Sequence, residues 1–575
     1  MTDKHQVARV LGEIARYLEL SEPNRFKSLA FERAARKVEE IGDDLDRLVE
    51  TGKLYDTPGI GKGTGQAIEE IVRTGSCAYL EELRQRYPPE IFELLRVSGL
   101  GIKKIGALFD ELGIASIEAL EEACRAGRLA ALRGFGAKSQ EKILAGIARA
   151  RQREPRFLLP IALDAAELLR QGLLELDPID AVEVAGGVRR RLEIVGNLDL
   201  VIVTRDPPAA IEAIVASALL ENLEPNDASS VRGLFRNEIE ARLHFAMPDD
   251  LGATFLRATG SAEFVEGFTA RALRSGIEMR AGVLYRNARH VKAKTEHAAF
   301  EAAGIAFVEP ELRESAGALA APPPKRLVRR ADLKGTFHVH TTYSDGRNSL
   351  AEMLEAARAQ KFAYVGISDH SKSAAYAGGL NEDRLRQQEA EMERLRPAFA
   401  GMRIFRGTEA DILADGSIDY GLDTLARFDF VIASVHSRFG LSPDEMTERM
   451  LRALDNPYVT FLGHLTGRLL LSRDGYTADF NRIFEKAAAR GVMIEINGNP
   501  NRLDIDWRHI RRARDLGVRF SIHPDAHSIV NLGHVLNGTW VARKGGLSPK
   551  EIFNTCPLDE VEAHFASRKR RAGTS

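Results

Sequence analysis

KGTFHVHTTYSDG, residues 334–346, runs through a short apolar stretch into two histidines one residue apart. Side chains two apart on a strand share a face, so His338 and His340 can both reach one ion. One such pair says little, because buried hydrogen-bonded histidines are common. The pattern gains weight by repetition downstream. YVGISDH (364–370), RIFRGTE (403–409), FDFVIASVH (428–436), YVTFLGH (458–464), GVMIEING (491–498) and VRFSIHPDAH (518–527) are again apolar runs ending in polar residues, and helical stretches separate them. Seven strand–helix units with this rhythm predict an α/β fold, a distorted (β/α)7 barrel.

In such a barrel the strand ends meet on one rim, the face on which active sites are built. The predicted ends carry His338, His340, His370, Glu409, His436, His464, Asp525 and His527, and Asp345 lies in the turn after the first strand. All nine are metal-ligand types. Histidine is also unevenly spread, with four before residue 330 and ten after it. Mixed His and carboxylate donors without Cys suit Zn²⁺, Mn²⁺ or Fe²⁺. A cluster of this kind points to metal-assisted hydrolysis of a phosphate ester, with no covalent Ser or Cys nucleophile. Lys372, Arg438, Arg468 and Asn497 lie just beyond strand ends as candidate phosphate contacts, and Asp369 is placed to orient a ring.

The chain has 575 residues, too many for one core, so several domains are expected. The composition is 44% hydrophobic and 28% charged, which excludes wholesale disorder. No apolar run approaches the ~20 residues of a membrane span, and the N-terminus lacks signal-peptide features, so a cytoplasmic protein without a membrane partner is expected. Cys77, Cys124 and Cys556 are odd in number and far apart, which argues against a disulfide framework. The net charge of -2 gives no global sign of nucleic-acid binding, so any such contact must be local.

Local candidates stand in the helical first 150 residues. TPGIGKGTGQAI (57–68), VSGLGIKKIGAL (97–108) and LRGFGAKSQEKI (132–143) each place an apolar-Gly-apolar-Gly turn between two helices. Glycines permit the tight turn, and backbone N–H groups at the next helix start can hold a phosphate without reading sequence. These are similar to helix-hairpin-helix motifs for the DNA backbone. The residues singled out are Gly59, Gly61, Lys62, Gly99, Gly101, Lys103, Lys104, Gly134, Gly136 and Lys138.

YLELSEPNRFKSLAFERAARKVEEIG (17–42), with the first two hairpins, resembles the N-terminal domains of family X DNA polymerases. AGGVRRRLEIVGNLDLVIV (185–203) resembles their palm signature, with Arg189, Arg190, Gly196 and Asp199 on matching positions. The match implies nucleotide or phosphate contacts for Arg189 and Arg190. Two of the three catalytic carboxylates are missing, because Asn197 and Arg242 stand where the family has Asp. Asp199 alone does not make a two-metal site, and Arg242 opposes Mg²⁺ binding, so polymerase activity is expected to be weak or lost. A rearranged set of Glu193, Asp199 and Glu240 is the alternative. The family's lyase lysine aligns with Ala67, so that activity is not expected.

The segment from 333 to about 565 resembles the PHP (polymerase and histidinol phosphatase) domain. By that resemblance, His338, His340, Glu409 and Asp525 bind a first metal, and Glu409 bridges to a second held by His436 and His464. Asp345, His370 and His527 hold a third. The whole chain then resembles bacterial family X DNA polymerases with a C-terminal PHP domain, which implies a Mn²⁺-dependent 3'-5' exonuclease acting in base excision repair. The expected organisation is a helical N-terminal domain (1–90), a fingers-like helical domain (91–150), a palm (151–235), palm end and thumb (236–315), a linker (316–332) and the PHP barrel (333–575). A small-molecule phosphatase and a DNA-end scaffold are the other readings.

Overall fold

The computed structural model describes residues 4–20, 25–40, 45–57, 59–97, 100–132, 135–136, 140–144, 146–147, 156–227, 229–236, 239–320 and 326–573. The chain divides into two compact units, Met1–Glu154 and Pro155–Ser575. The described residues of the first unit are helical, with helices including Lys4–Leu20, Arg25–Glu40, Lys62–Thr74, Ala78–Arg86, Ile102–Leu112 and Ile117–Arg125. Their apolar faces meet in one core around Leu11, Ile14, Tyr17, Ile68, Leu94 and Ile105. Helix Ile102–Leu112 crosses close to helix Lys4–Leu20: a Cβ on Gly106 would stand 2.5 Å from the Leu20 carbonyl oxygen, so that approach requires glycine.

The second unit begins with a two-stranded ribbon, β1 (Phe157–Leu158) against β3 (Ile194–Val195), and a five-stranded sheet. That sheet comprises β2 (Ala181–Val184), β4 (Asn197–Val203), β5 (Leu220–Asp227), β6 (Ser230–Phe235) and β7 (Ile239–Ala246), in the order β2-β4-β7-β6-β5. β4 and β7 run parallel, the other pairs antiparallel. An antiparallel sheet of β8 (Glu278–Arg280), β9 (Val283–Arg286) and β10 (Arg289–Val291) follows. These sheets and their helices form the α+β region for which the sequence predicts a palm and thumb.

The barrel comprises β11 (Gly335–Val339), β12 (Tyr364–Ile367), β13 (Arg403–Asp411), β14 (Phe430–Ser434), β15 (Val459–Leu462), β16 (Met493–Asn497) and β17 (Phe520–His523), all parallel in sequence order. Every apolar run read from the sequence is a strand. β11 comes back beside β17 through a bridge between Val339 and Ala526, with the His340 N–H donating to the Ala526 carbonyl (2.9 Å). Phe337, Tyr364, Phe405, Phe430, Phe461, Phe553 and Phe565 fill the barrel interior below the strand ends. Gly366 and Gly407 make room for them, since a Cβ there would meet the Phe430 ring at 2.6 and 2.2 Å.

The linker is shorter than expected. Residues 316–319 pack on helix Ala262–Arg274, where Ala316 lies against Gly267 and Leu319 is buried. Leu327 and Val328 are buried as well, and the Val328 N–H donates to the Leu547 carbonyl (3.0 Å). Apolar side chains at both ends of the segment gain more by burial than by remaining extended. Pro322, Pro323 and Pro324 lie outside the described residues.

Palm and barrel meet in a polar seam. Lys544 on the barrel is 4% exposed and donates to the Arg190 carbonyl (3.0 Å) and to Glu314. Arg508 and the Trp507 indole N–H both donate to Glu193 (2.6 and 3.1 Å), and Arg543 pairs with Glu311 (2.6 Å). Among the described residues, no helix is long and apolar enough to cross a membrane.

Candidate metal centre

All nine ligand candidates converge on one basin at the strand ends. Glu409 stands at its middle. One oxygen lies 2.9 Å from His464 Nε2 and 3.2 Å from His436 Nε2. The other lies 3.1 Å from His370 Nδ1, 3.3 Å from His338 Nε2 and 3.6 Å from His340 Nε2. Asp525 Oδ1 is 3.5 Å from His338 Nε2 and 3.6 Å from His340 Nε2. Asp345 reaches back from its turn to His527 Nε2 (3.3 Å) and His370 Nε2 (3.7 Å). The donors form overlapping groups: His338, His340 and Asp525; His370, Glu409 and His436; and His340, Asp345, His370 and His527.

The backbone bends to achieve this. His338, His464 and Asp525 have φ of 62°, 24° and 51°, a region costing a non-glycine residue about 1–3 kcal/mol. The turn at His338 has a visible purpose: consecutive residues Phe337 and His338 both face the His523 ring, at 5.6 and 6.3 Å, which plain strand alternation forbids.

Behind the ligands lies a second layer that sequence reading passed over. Glu495, fully buried on β16, accepts from His338 Nδ1, from His523 Nδ1–H (2.8 Å), from the His464 backbone N–H (3.0 Å) and from Asn497 Nδ2 (2.8 Å). Asp411, two residues after Glu409, accepts from His436 Nδ1–H (2.6 Å). Each carboxylate fixes a tautomer and aims Nε2 at the basin. Asn497 also donates to Asp525 (3.0 Å) and accepts from the Asn499 N–H (2.9 Å), so its amide is engaged by the protein and orients a ligand. Asp369 orients no ring; its carboxylate holds Thr341, Ser344 and Gln388 and so anchors the turn that carries Asp345.

The charges are strongly mutual. Burial raises the carboxyls of Glu409 and Asp525, but His338 and the other imidazoles override it and hold both well below the usual range. Burial, with the like charges of His527 and His370, pushes His340 down to about 3. Against the cost of burial, Glu409 and Asp411 raise His436 to about 10, and Asp345 and Asp525 raise His527 to about 9. Among the described residues, His338 Nε2, both nitrogens of His340, His370 Nδ1 and His464 Nδ1 are buried without a hydrogen-bond partner. Orphaned buried nitrogens are costly. All but His464 Nδ1 stand around oxygens of Glu409, Asp345 and Asp525, and a divalent cation satisfies both sets, so the residues fit a metal cluster.

Of the three rim cations, Arg468 departs from expectation. Arg468 is 9% exposed and donates to the Arg502 and Leu503 carbonyls and to Asp506, so it builds a loop instead of facing a ligand. Lys372 is exposed beside Glu382 (3.5 Å), and Arg438 is exposed. The loop that Arg468 supports presents Arg502, whose Nε lies 3.5 Å from Asp525. Among the described residues, the Arg502 guanidinium makes no hydrogen bond.

The palm assembles no comparable group: among the described residues, every set of three or more donors spaced for a metal lies in the barrel. Asp199 accepts from Asn197 (2.8 Å) and contacts His244 Nε2 (3.0 Å), while Arg242, its register partner on β7, pairs with Glu240 (2.6 Å). The alternative set is not brought together, since Glu193 turns into the seam. Arg189 forks onto Glu296 (2.6 and 2.8 Å) and Arg190 pairs with Glu314 (3.0 Å), so both guanidinium groups are engaged with protein carboxylates.

In the first unit, Gly61 and Gly101 cap helices Lys62–Thr74 and Ile102–Leu112, and Gly59 has φ 94°. Lys62, Lys103 and Lys104 are exposed at those helix starts, and Gly136 accepts from the Gln140 N–H (3.1 Å). Gly99, Gly134 and Lys138 lie outside the described residues. Ala67 is buried.

Helical hairpins, a polymerase-like palm and a His/carboxylate barrel together define a DNA-processing protein with a PHP phosphoesterase domain. Family models agree: a helix-hairpin-helix domain matches residues 2–77, a SAM-like helix-hairpin-helix tandem 91–149, and the PHP domain 336–499. DNA polymerase/3'-5' exonuclease PolX of Bacillus subtilis is 35% identical over 97% of this chain and 99% of its own. The chain belongs to the PolX family. A probable phosphatase of Acetivibrio thermocellus is 28% identical over 41% of this chain and 95% of its own. A structure of Leishmania infantum polymerase beta covers 39% of this chain and 98% of its own at 19% identity and TM-score 0.26, too low to argue from.

Proposed function

We propose that the barrel is a metal-dependent 3'-5' exonuclease acting on DNA held by the helical hairpins, and that templated synthesis by the palm is weak. The observation that carries this is the gathering of all nine donors into one basin, set against a palm in which Asp199, the carboxylate that matches the family signature, is paired with Asn197 and His244. His338, His340, Glu409 and Asp525 would hold one ion, with Glu409 shared to a second on His436 and His464; Asp345, His370 and His527 would hold a third. Two or three ions of Mn²⁺, Zn²⁺ or Fe²⁺ supply Lewis acidity and charge neutralisation at phosphorus.

Around them, the protein orients the imidazoles through Glu495 and Asp411 and offers Arg502 to the non-bridging oxygens. The oxygen of water attacks phosphorus and the P–O3' bond breaks; O3' takes up the proton that water gives up and becomes the new 3'-hydroxyl of the shortened strand, and the released nucleotide leaves with its 5'-phosphate. Partners are DNA backbones without sequence preference, with affinity falling as salt rises.

The test uses 5'-labelled gapped DNA with Mn²⁺, with and without nucleotides. Wild type and Asp199→Ala should shorten the labelled strand at equal rates, and His338→Ala should not. Undiminished shortening by His338→Ala, or an intact strand with the metal shown to be loaded, overturns the reading. Primer extension lost on Asp199→Ala would instead credit the palm with synthesis.

A further inference from the structure

Tyr376 stands over the ligand basin, its ring 6.2 Å from that of His370 and 6.3 Å from that of His436. It is 71% exposed, and among the described residues its hydroxyl makes no hydrogen bond. An isolated exposed aromatic is ordinary on protein surfaces. What sets this one apart is its mounting.

The loop from Ser371 to Leu380 is tied at several points. The Leu380 N–H donates to the His370 carbonyl (2.8 Å), the Gly379 N–H to the Ala374 carbonyl (3.0 Å), and the Ser373 N–H to Asp419 (2.9 Å). The Tyr420 hydroxyl donates to the Leu380 carbonyl. Ala374 and Ala377 are buried on either side of the tyrosine, and a Cβ on Gly379 would stand 1.9 Å from the Ser371 oxygen. The loop that carries this bare ring beside the metal ligands is thus tied down, so little backbone freedom is lost when a flat partner settles on the ring.

We propose that Tyr376 is the platform on which the base of the 3'-terminal nucleotide stacks while its 5'-phosphate lies among the ligands. This makes the basin selective for ends that carry a base over small phosphate esters without a ring. The proposal rests on the exonuclease reading above. A small phosphomonoester without a ring needs the ligands and Arg502 but gains nothing from the platform, whereas a terminal nucleotide offers it a base, and base–aromatic stacking is indifferent to which base is present.

The experiment compares two labelled strands that differ only in the last residue, thymidine or an abasic tetrahydrofuran nucleotide, in Mn²⁺. Wild type and Tyr376→Phe should cleave the thymidine end about 10-fold faster in kcat/KM, the scale of one stack. Tyr376→Ala should bring the thymidine end down to the abasic rate and leave the abasic rate unchanged. A binding readout accompanies it: with Ca²⁺ in place of Mn²⁺, a 3'-terminal 2-aminopurine should be quenched by wild type and not by Tyr376→Ala. Equal slowing of both ends, no slowing of either, or quenching that survives the substitution overturns the platform. Wild type inert on both ends overturns the exonuclease reading itself.

Discussion

Glu495→Ala should destabilise the barrel by about 3–5 kcal/mol and weaken metal binding by about 10–100-fold, although Glu495 touches no ion in the assignment above. The carboxylate serves His338 Nδ1, His523 Nδ1, the His464 N–H and Asn497 at once, in a site without solvent. Removing it leaves the buried N–H groups of His338, His523 and His464 without this acceptor and Asn497 with Asp525 alone. It also frees His338 to turn its ring, so Nε2 no longer points into the basin. Thermal unfolding and Mn²⁺ titration measure the two effects. Glu495→Gln keeps the volume and one acceptor oxygen, and should recover part of the stability but less of the affinity. A wild-type melting temperature with wild-type metal content in the alanine variant would refute this role.

Glu409→Gln should lower hydrolysis by about 10³-fold, equivalent to ~4 kcal/mol of transition-state stabilisation. One carboxylate faces five imidazoles here, His338, His340, His370, His436 and His464. An amide has nearly the same shape, but it removes the negative charge and presents N–H hydrogens to ring nitrogens. The metal-free fold should tolerate the change, because the amide still fills the space. Single-turnover cleavage of labelled DNA, read beside metal content and a chelator-treated wild-type control, separates loss of chemistry from loss of fold. Activity within 10-fold of wild type would show that Glu409 does not hold the cluster together.

The barrel was legible because each parallel strand is a short apolar run with its functional residue at the carboxyl end. The period and the ligand therefore reported the same boundary. Glu495 left a subtler signal: MIEIN is a strand buried on both faces, and a carboxylate inside such a run needs a partner. Asp411 follows Glu409 by two and so shares its face. Arg502 and Tyr376 had no signal, since both sit on loops whose path depends on Arg468 and Asp419, residues distant in sequence. Arg468 misled for the same reason: next to a strand end it reads as a ligand contact, while its donors close a loop.

In the palm, the substitutions Asn197 and Arg242 were plain in the sequence, but the fate of the neighbouring arginines was not. Arg189 and Arg190 keep the spacing of a phosphate-binding pair, and only the folded chain shows Glu296 and Glu314 occupying them. Glu193 likewise looked available and proved to be claimed by Arg508 and Trp507 from more than three hundred residues away.

Lys544 and Arg508, seated on palm and thumb carboxylates, bear on how a strand terminus is delivered for trimming. A sheet and a barrel fastened by such pairs keep a constant separation, so a terminus leaving the template must unpair and cross that distance by itself. Trimming then becomes a measure of fraying: a mismatched last base pair, which opens more readily, should be shortened ahead of a matched one on otherwise identical duplexes. Equal rates on the two would mean that opening of the pair does not limit the transfer.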